Sequence, residues 1–255
     1  MGKTIALCSQ KGGVAKTTTT ALMAYGLYHR GFKVLLVDMD PQRNLSKWLK
    51  AELNERPTTF ELLMGTAKAD EVIQNLPFFD IMPASKELAQ AEIALPLTGK
   101  LKRLRKAIAG IKSKYDYIVI DTGPSLNVLT LNALIAADEV IVPSNAAAFS
   151  IEGFLDLYQT ISDIKEDENP ELVVRGVLIT MYTPRATVSK ELAKTIQNIN
   201  DKFGVNTFDT RIRSSVAVIQ SQTYRFDLFD TLPTNIVSID FNAFLDEYLG
   251  GSDDE

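Results

Sequence analysis

A short segment near the N-terminus carries the residue types that bind polyphosphates. Residues 9–18 read Ser-Gln-Lys-Gly-Gly-Val-Ala-Lys-Thr-Thr, between an apolar run at residues 4–8 and a predicted helix at residues 19–30. A glycine-containing turn between a strand and a helix points several backbone N–H groups at one spot, at the positive end of the helix dipole. Lys16 can then reach the β- and γ-phosphates of a nucleotide, and the Thr17 hydroxyl can ligate Mg²⁺.

Two residues of this segment depart from the general phosphate-loop pattern. Gln10 and Ala15 occupy positions where that pattern has glycine, so a chance Gly-Gly turn ahead of a helix is the alternative. The extra methyl group of Ala15 is harmless if its φ angle is negative, whereas a left-handed backbone would cost roughly 1–2 kcal/mol. We therefore expect Ala15 to affect catalytic turnover more than nucleotide binding.

Acidic residues end two further apolar runs. One run ends at Asp38, with Asp40 two residues later, and the most apolar run of the chain ends at Asp121. Because open α/β sheets bind ligands at the carboxyl ends of their strands, we expect these carboxylates beside the phosphate-binding segment. The structural alternative is an aspartate cap on the helix predicted at residues 42–50, which would account for only one of the first two acids.

These motifs together resemble the ParA/MinD family of ATPases, and the resemblance spans nearly the whole chain. Lys-Gly-Gly-Val-Ala-Lys-Thr-Thr at residues 11–18 resembles the deviant Walker A motif, in which the first lysine is the family's signature. Asp-Met-Asp-Pro-Gln at residues 38–42 resembles the second motif, and residues 115–121 resemble a Walker B strand. Residues 121–134 match the partition ATPases of this family closely.

The resemblance implies roles for individual residues. Lys11 would cross a dimer interface to the partner's phosphates, which would couple hydrolysis to dimerisation. Lys16 would neutralise phosphate charge and Asp40 would orient the attacking water, so Lys11, Lys16 and Asp40 are the predicted catalytic residues. The predicted metal-site residues are Thr17, Asp38 and Asp121. The predicted nucleotide contacts are Lys11, Gly12, Gly13, Val14, Ala15, Lys16, Thr17, Thr18 and, near the adenine, Met181.

Two groups of basic residues are candidates for DNA contacts. Arg185 and Arg213 match positions that serve non-specific DNA binding in relatives, and an ordinary salt-bridged surface arginine is the alternative for each. The helix predicted at residues 100–114 has an apolar face, with its cations on the other side. Those cations form either a solvated face or a patch for the phosphate backbone.

Strands alternate with helices along the chain, which predicts an α/β fold. We expect a single-domain P-loop NTPase fold with a mostly parallel twisted sheet and helices on both faces. Residues 1–249 would form the ATPase domain, and residues 250–255 would be a disordered acidic tail. Other predicted elements are a helix that Thr58 or Thr59 caps and that runs through Met64, strands at residues 78–82, 139–143 and 172–181, and helices at residues 85–94, 126–137, 150–166, 187–202 and 236–249.

Composition separates this chain from other members of the same family. Its single cysteine, Cys8, lies in an apolar strand, so the chain has no pair for a disulfide and no cysteine set for an iron–sulfur cluster. No apolar run approaches the roughly 18 residues of a membrane span. Residues 237–255 contain six acidic residues and no Lys or Arg, unlike the basic membrane-binding tail of MinD-type proteins. We expect a cytoplasmic protein with no membrane partner.

The resemblance therefore predicts a ParA-type DNA-partitioning ATPase that uses ATP and Mg²⁺. With ATP it would form a homodimer, bind double-stranded DNA non-specifically and associate with the nucleoid. A ParB-type centromere-binding adaptor protein would stimulate hydrolysis and release it. The alternative is an ATP-gated dimeric switch that positions another cargo or regulates, with little turnover. Ala15 and the three alanines at residues 146–148, which replace more polar residues of the family, support this alternative.

Overall fold

The apolar runs predicted as strands belong to one sheet, which has eight strands within the described part of the chain. A computed structural model of the protein describes residues 2–145, 151–184, 191, 195 and 204–250. The strands are β1 Lys3–Leu7, β2 Val34–Asp38, β3 Gln74–Asn75, β4 Asp80–Met82, β5 Tyr117–Asp121, β6 Glu139–Ser144, β7 Val173–Tyr182 and β8 Thr207–Arg213. Their order is β3-β4-β2-β5-β1-β6-β7-β8, and every neighbouring pair is parallel except β3–β4.

Helices connect the parallel strands, as the alternating pattern predicts. The described α-helices are α1 Lys16–His29, α2 Asn44–Trp48, α3 Thr59–Met64, α4 Ala69–Val72, α5 Ala91–Ala94, α6 Arg103–Ala109, α7 Val128–Ala136, α8 Ile151–Asp167, α9 Val216–Tyr224, α10 Leu228–Thr231 and α11 Ile236–Gly250. Short 3₁₀ helices cover Lys86–Gln90, Lys100–Lys102 and Lys112–Lys114. Most of the helix predicted at residues 187–202 and the tail at residues 251–255 lie outside the described residues.

Successive residues of the central strands pack on opposite faces of the sheet, as expected for extended chains. In β1, Ile5 and Leu7 belong to a core cluster with α1 and α11, whereas Ala6 belongs to a cluster with α7 and α8. In β5, Val119 packs on the α1 side and Ile118 packs with α3, α6 and α7. Helices therefore cover both faces, which confirms the predicted fold class.

The carboxyl ends of the three central strands lie at one level. Asp121 at the end of β5 is in register with Leu7 at the end of β1 and with Asp38 at the end of β2. The loops that follow these strands therefore meet at one edge of the sheet, where open α/β sheets place their ligands. This register positions the candidate site.

The helix predicted at residues 100–114 was too long. The structure divides it into a 3₁₀ turn, α6 and a second 3₁₀ turn, although Leu104 and Ile108 are buried as the pattern requires. Lysines at the start of a helix oppose its dipole, and Gly110 favours an early end. Three of the cations form ion pairs with acids, namely Lys102 with Glu168, Lys112 with Asp138 and Lys114 with Asp70.

Several other boundaries were also misplaced. The helix predicted at residues 85–94 is a 3₁₀ turn followed by α5, and the strand predicted at residues 78–82 begins only at Asp80 because Phe78 and Phe79 pack edge-on against Tyr25. The predicted cap of α3 is confirmed, since the Thr58 side chain accepts a hydrogen bond from the Phe60 N–H. Within the described ranges, no helix is long and apolar enough to cross a membrane.

The C-terminal helix α11 is tied to the sheet by a buried acid. Tyr248 donates a hydrogen bond of 2.5 Å to Glu139 at the start of β6. Glu139 also pairs with Lys3 at 2.8 Å, and the Arg175 guanidinium lies 5.6 Å from the centre of the Tyr248 ring. Burial and the neighbouring carboxylate raise the pKa of Tyr248 well above its usual range. The phenol therefore stays protonated as a hydrogen-bond donor.

We predict that Tyr248→Phe lowers the free energy of unfolding by about 1–3 kcal/mol, because a buried carboxylate oxygen loses its donor. Urea denaturation followed by circular dichroism measures the change. Tyr224→Phe is the matched control, since Tyr224 is 74% exposed and its substitution should shift stability by less than about 0.5 kcal/mol. Equal effects of the two substitutions would contradict the role of the hydrogen bond.

Candidate nucleotide-binding site

The phosphate loop, residues 9–15, connects β1 to α1 with two left-handed residues. Gly13 and Ala15 have φ angles of 72° and 60°. Ala15 directly precedes Lys16, the first residue of α1, and no side chain caps that end of the helix. The left-handed backbone is the strained case for an alanine, at roughly 1–2 kcal/mol. The loop therefore has the predicted strand–turn–helix geometry, with strain concentrated at Ala15.

Two polar side chains from neighbouring strands hold the carbonyl groups of this loop. Asn145, just after β6, donates from Nδ2 to the Gly13 carbonyl at 2.8 Å, and the Thr180 hydroxyl of β7 lies 3.0 Å from the Val14 carbonyl. Both side chains are buried. In a trans peptide the N–H points opposite to the preceding C=O, so these bonds turn the N–H groups of Val14 and Ala15 away from the two strands. Sequence analysis missed both residues, although each is a polar residue at the end of an apolar strand.

Lys16 lies buried within the phosphate loop. Its Nζ donates to the carbonyl groups of Ser9 at 3.0 Å and Lys11 at 2.9 Å. Burial lowers the pKa of Lys16, and the nearby Cys8, Asp121 and Asp40 oppose that shift. Backbone carbonyls are the acceptors in both of these hydrogen bonds. A ligand anion could therefore replace them without breaking an ion pair.

The Cys8 thiol next to this loop is a core group, as the sequence indicated. It is buried at the end of β1, and burial raises its pKa to about 11. A thiol held in that protonated state is a poor nucleophile and a poor metal ligand. The chemistry of the site therefore depends on its lysines, carboxylates and hydroxyl groups.

Asp38 and Asp121 end adjacent strands and are both fully buried. Asp38 accepts hydrogen bonds from the N–H and hydroxyl of Ser46, at 3.0 and 2.6 Å, and burial raises its pKa to about 6. Burial and the neighbouring Asp38 raise the pKa of Asp121 well above its usual value, opposed by a hydrogen bond from Thr17. The Oδ2 atom of Asp121 is buried without a hydrogen-bond partner among the described residues. A hydrated Mg²⁺ ion would satisfy that oxygen and offset the clustered charge, so the residues fit this cofactor.

Asp40 lies in the loop after β2 and faces the Walker B side of the site. Its Oδ1 accepts a hydrogen bond from the Gln42 N–H at 2.9 Å, and a Cβ added to Gly123 would lie 3.6 Å from the same oxygen. Helix α2 begins after Arg43, whose side chain makes no capping hydrogen bond. Asp38 accepts the N–H of Ser46 in the first turn of α2, so it takes the helix-capping role that the sequence left open as an alternative, whereas Asp40 accepts the Gln42 N–H before the helix begins.

A cavity of about 520 Å³ adjoins the phosphate loop on the side of α9. Gly13 and Ala15 line one wall, and Met181 and Ile219 line others. Met181 is half exposed, with its sulfur 3.5 Å from the Asn145 Nδ2 atom. Such a partly apolar cavity suits a nucleobase, with the phosphates on the loop. Met181 lines this cavity beside the phosphate loop, and its contact with adenine stays a prediction.

The remaining predicted nucleotide contacts are distributed along the loop and the start of α1. Lys11, Gly12 and Gly13 are exposed, Val14 and Lys16 are buried, and Ala15, Thr17 and Thr18 are half-buried. Thr18 accepts a hydrogen bond from Gln222 of α9 at 3.2 Å, a contact that sequence analysis did not predict. Lys11 is exposed on the loop, and its contact with a partner's phosphates stays a prediction.

Of the two predicted DNA-binding arginines, the structure describes one. Arg213, at the end of β8, forms a bidentate ion pair with Asp240 of α11, with contacts of 2.6 Å from Nη2 and 2.9 Å from Nε. This hydrogen bonding raises the pKa of Arg213 above its usual range. The arrangement is the salt-bridged alternative, with the side chain still 37% exposed. Arg185 and the alanines at residues 146–148 lie outside the described residues.

Comparison with known proteins agrees with the geometry of this site. Residues 2–174 match a family model described as an AAA domain. The chain is 39% identical to the chromosome partitioning protein ParA of Caulobacter vibrioides over 228 residues, which cover 87% of this chain and 84% of that protein. It is 36% identical to the sporulation initiation inhibitor protein Soj of Bacillus subtilis over 230 residues, covering 88% and 89% of the two chains.

A solved structure with nucleotide also superposes on the protein. The crystal structure of cobyrinic acid a,c-diamide synthase from Mycobacterium smegmatis, with bound ADP and magnesium, matches with a TM-score of 0.86. The two sequences are 31% identical, and the match covers 100% of this chain and 96% of that one. A protein of the same fold therefore binds a nucleotide and Mg²⁺ together.

We predict that Ala15→Gly raises the free energy of unfolding by up to about 1.6 kcal/mol. The substitution removes roughly 1–2 kcal/mol of left-handed strain and adds about 0.4–1 kcal/mol of unfolded-state entropy. Ala107→Gly in the middle of α6 is the control, and there the same change should destabilise the protein by about 0.5–1 kcal/mol. Urea denaturation of both variants checks the opposite signs, and a loss of stability in both would contradict a strained Ala15.

We predict that Thr180→Val weakens nucleotide binding about tenfold, the equivalent of one hydrogen bond near 1.4 kcal/mol. Valine keeps the shape of threonine but removes the hydroxyl that lies 3.0 Å from both the Val14 and the Ser144 carbonyl. Fluorescent ADP titration measures the affinity, and Thr180→Ser should restore most of it. If valine lowers the unfolding free energy but leaves the affinity unchanged, the hydroxyl stabilises the sheet without orienting the loop.

Proposed function

The chain belongs to the ParA/Soj family of partitioning ATPases, and from this we propose that it is an ATP-dependent DNA-partitioning ATPase. The observation that carries the proposal is the arrangement of Lys16, Asp40 and Asp121 around one phosphate loop at the carboxyl edge of the sheet. Open α/β sheets bind nucleotides at this edge, with the phosphates at the N-terminus of the first helix. ATP, with Mg²⁺, is the substrate that this combination of lysine, hydroxyl and carboxylates fits best.

The proposed reaction is in-line attack of water on the γ-phosphate. Asp40 holds the water by accepting its hydrogen bond, and Lys16 gives up its contacts with loop carbonyls to neutralise phosphate charge. The N–H groups of Val14 and Ala15 add donors for the same oxygens. Thr17, Asp38 and Asp121 are the residues that would hold Mg²⁺ and its water shell, and the bound ion would supply further charge stabilisation.

Lys11 is proposed to complete the site of a second copy of the chain. Its side chain is exposed at the tip of the phosphate loop, whereas Lys16 occupies the interior of that loop. A cation supplied by a partner stabilises the transition state only after two subunits have met. Hydrolysis would then require an ATP-bound homodimer. The ATP-bound dimer and the protein after hydrolysis would be two states that differ in lifetime and in binding partners.

The DNA-binding part of the proposal depends on local charge. The chain has a formal net charge of −5, so its overall charge does not favour nucleic acid. Arg213, together with Arg185, would have to contact the phosphate backbone of duplex DNA, and dimerisation would double the number of such contacts. An adaptor protein of the ParB type is proposed to stimulate hydrolysis and release the dimer. In a cell this cycle would place the ATP-bound protein on the nucleoid and the ADP-bound protein in the cytoplasm.

The second candidate function is an ATP-gated dimeric switch with little turnover. The left-handed Ala15 favours it, because that residue stores strain at the base of the phosphate loop. Such a switch would bind ATP and dimerise but would position another cargo or act as a regulator. The two functions differ in hydrolysis rate and in their response to DNA.

We predict ATP-dependent retention of the protein on duplex DNA, with retention falling steeply as salt rises because phosphate contacts release counterions. The assay measures DNA retention with ATP, with ADP and without nucleotide over a salt series. Size-exclusion chromatography detects the dimer in parallel. Lys11→Ala should lose both the ATP dimer and DNA retention. Arg213→Glu should keep the dimer and lose retention because it removes the DNA contact; it also breaks the ion pair with Asp240, so an ATP dimer that still forms is the control for folding.

Other outcomes of this assay would support a different function or different roles for these residues. DNA retention that does not depend on nucleotide, or no retention, would contradict the partitioning cycle. An ATP dimer that ignores DNA and hydrolyses ATP slowly would favour the switch. If Lys11→Ala changes neither the ATP dimer nor DNA retention, the signature lysine has no role across the interface. Arg213→Glu with unchanged retention would place the DNA contact elsewhere.

A further inference from the structure

The single histidine of the chain lies beside two aspartates at the end of α1 that is opposite the phosphate loop. The Nε2 atom of His29 is 2.6 Å from Oδ2 of Asp227 and 3.7 Å from Oδ1 of Asp230. One ligand atom from each of the three residues lies within 4.8 Å of the others. Asp227 is buried, whereas the side chains of His29 and Asp230 are 30% and 62% exposed. The cluster therefore has a buried carboxylate on one side and is accessible to solvent on the side of His29 and Asp230.

Local structure orients the three groups before any ligand arrives. Asp227 precedes α10, and its Oδ1 accepts the Phe229 N–H at 2.8 Å, which leaves Oδ2 for His29. Asp230 lies three residues later, so both carboxylates are on one side of the helical turn. The buried Phe229 ring lies 5.8 Å from the His29 ring, between centroids, and anchors α10 against α1.

The donor set matches a divalent transition metal better than an alkaline-earth ion. One imidazole nitrogen and two carboxylates form a site with a charge of −2, and imidazole is a ligand of Zn²⁺, whereas Mg²⁺ and Ca²⁺ prefer oxygen only. Bonds of about 2.0–2.1 Å place neighbouring Zn²⁺ ligands roughly 3–3.5 Å apart. The separations of 2.6 and 3.7 Å bracket that range, so small side-chain movements suffice.

We propose that His29, Asp227 and Asp230 form a binding site for one divalent transition metal ion, with Zn²⁺ as the best match and water at the open position. The ion would link the C-terminal end of α1 to α10. Helix α1 begins at the phosphate loop, and α10 follows α9, which contacts Thr18 through Gln222. Bound metal would therefore hold α10, the helix that follows the cavity-lining α9, against the far end of α1, whose first turn lines the nucleotide cavity. The proposal does not depend on the chain's proposed ATPase function.

The test uses the full chain without an affinity tag, stripped with EDTA and kept in excess Mg²⁺ so that the carboxylates near the phosphate loop are occupied. Zn²⁺ titration by calorimetry and Co²⁺ titration by visible absorption report binding, and thermal melts report its effect on stability. We expect one equivalent of Zn²⁺ per chain, Co²⁺ bands typical of nitrogen and oxygen ligands, and a rise in Tm of several degrees at saturation.

Two variants and one control locate the ion. His29→Gln and Asp230→Asn should each weaken Zn²⁺ binding roughly tenfold or more, because each removes a ligand. Asp246→Asn removes another exposed acid on the same side of α1, one that pairs with Arg30, and should leave Zn²⁺ affinity unchanged. Absence of stoichiometric Zn²⁺ or Co²⁺ binding would overturn the proposal, since the cluster would then be only a His–Asp ion pair. Binding that is equally strong in His29→Gln would also overturn it.

Discussion

The accumulation of negative charge at one buried edge of the sheet constrains the rest of the structure. Asp38 and Asp121 end adjacent parallel strands in register, and burial raises the pKa of both carboxyl groups. Lys16 is a buried cation close enough to oppose this charge, and it is held by loop carbonyls instead of a carboxylate. An arrangement with unsatisfied charge is costly in a protein interior unless a ligand completes it. The site is therefore built around groups that ATP and Mg²⁺ would complete.

Contacts from the neighbouring strands hold the phosphate loop in one conformation. Asn145 and Thr180 hold two successive carbonyl groups, and α1 begins immediately after the loop. These contacts maintain a left-handed alanine at position 15, where glycine would carry no strain. The donors that a phosphate needs are thereby oriented in advance, which lowers the reorganisation needed on binding.

Helix α1 connects the phosphate loop to the opposite side of the molecule. Its first turn contacts α9 through Thr18 and Gln222, and its last residue, His29, contacts α10 through Asp227. Helix α11, which follows α10, carries Asp240, the partner of Arg213. One group of helices, α9–α11, therefore borders three features. These are the proposed nucleotide site, the arginine proposed to bind DNA and the His–Asp–Asp cluster. A change in the packing of α9–α11 is the physical route by which one of them could influence another.

Local periodicity and short motifs were enough to predict the alternation of strands and helices along the chain, the phosphate loop and the acids Asp38, Asp40 and Asp121. Parallel strands then bring these motifs to one edge. Tertiary packing set the left-handed conformation of Ala15, the contacts of Asn145 and Thr180 with the loop, and the division of residues 100–114 into shorter turns. It also paired Arg213 with Asp240. These features depend on partners distant in sequence, and a local pattern carries no information about which distant residue will face it.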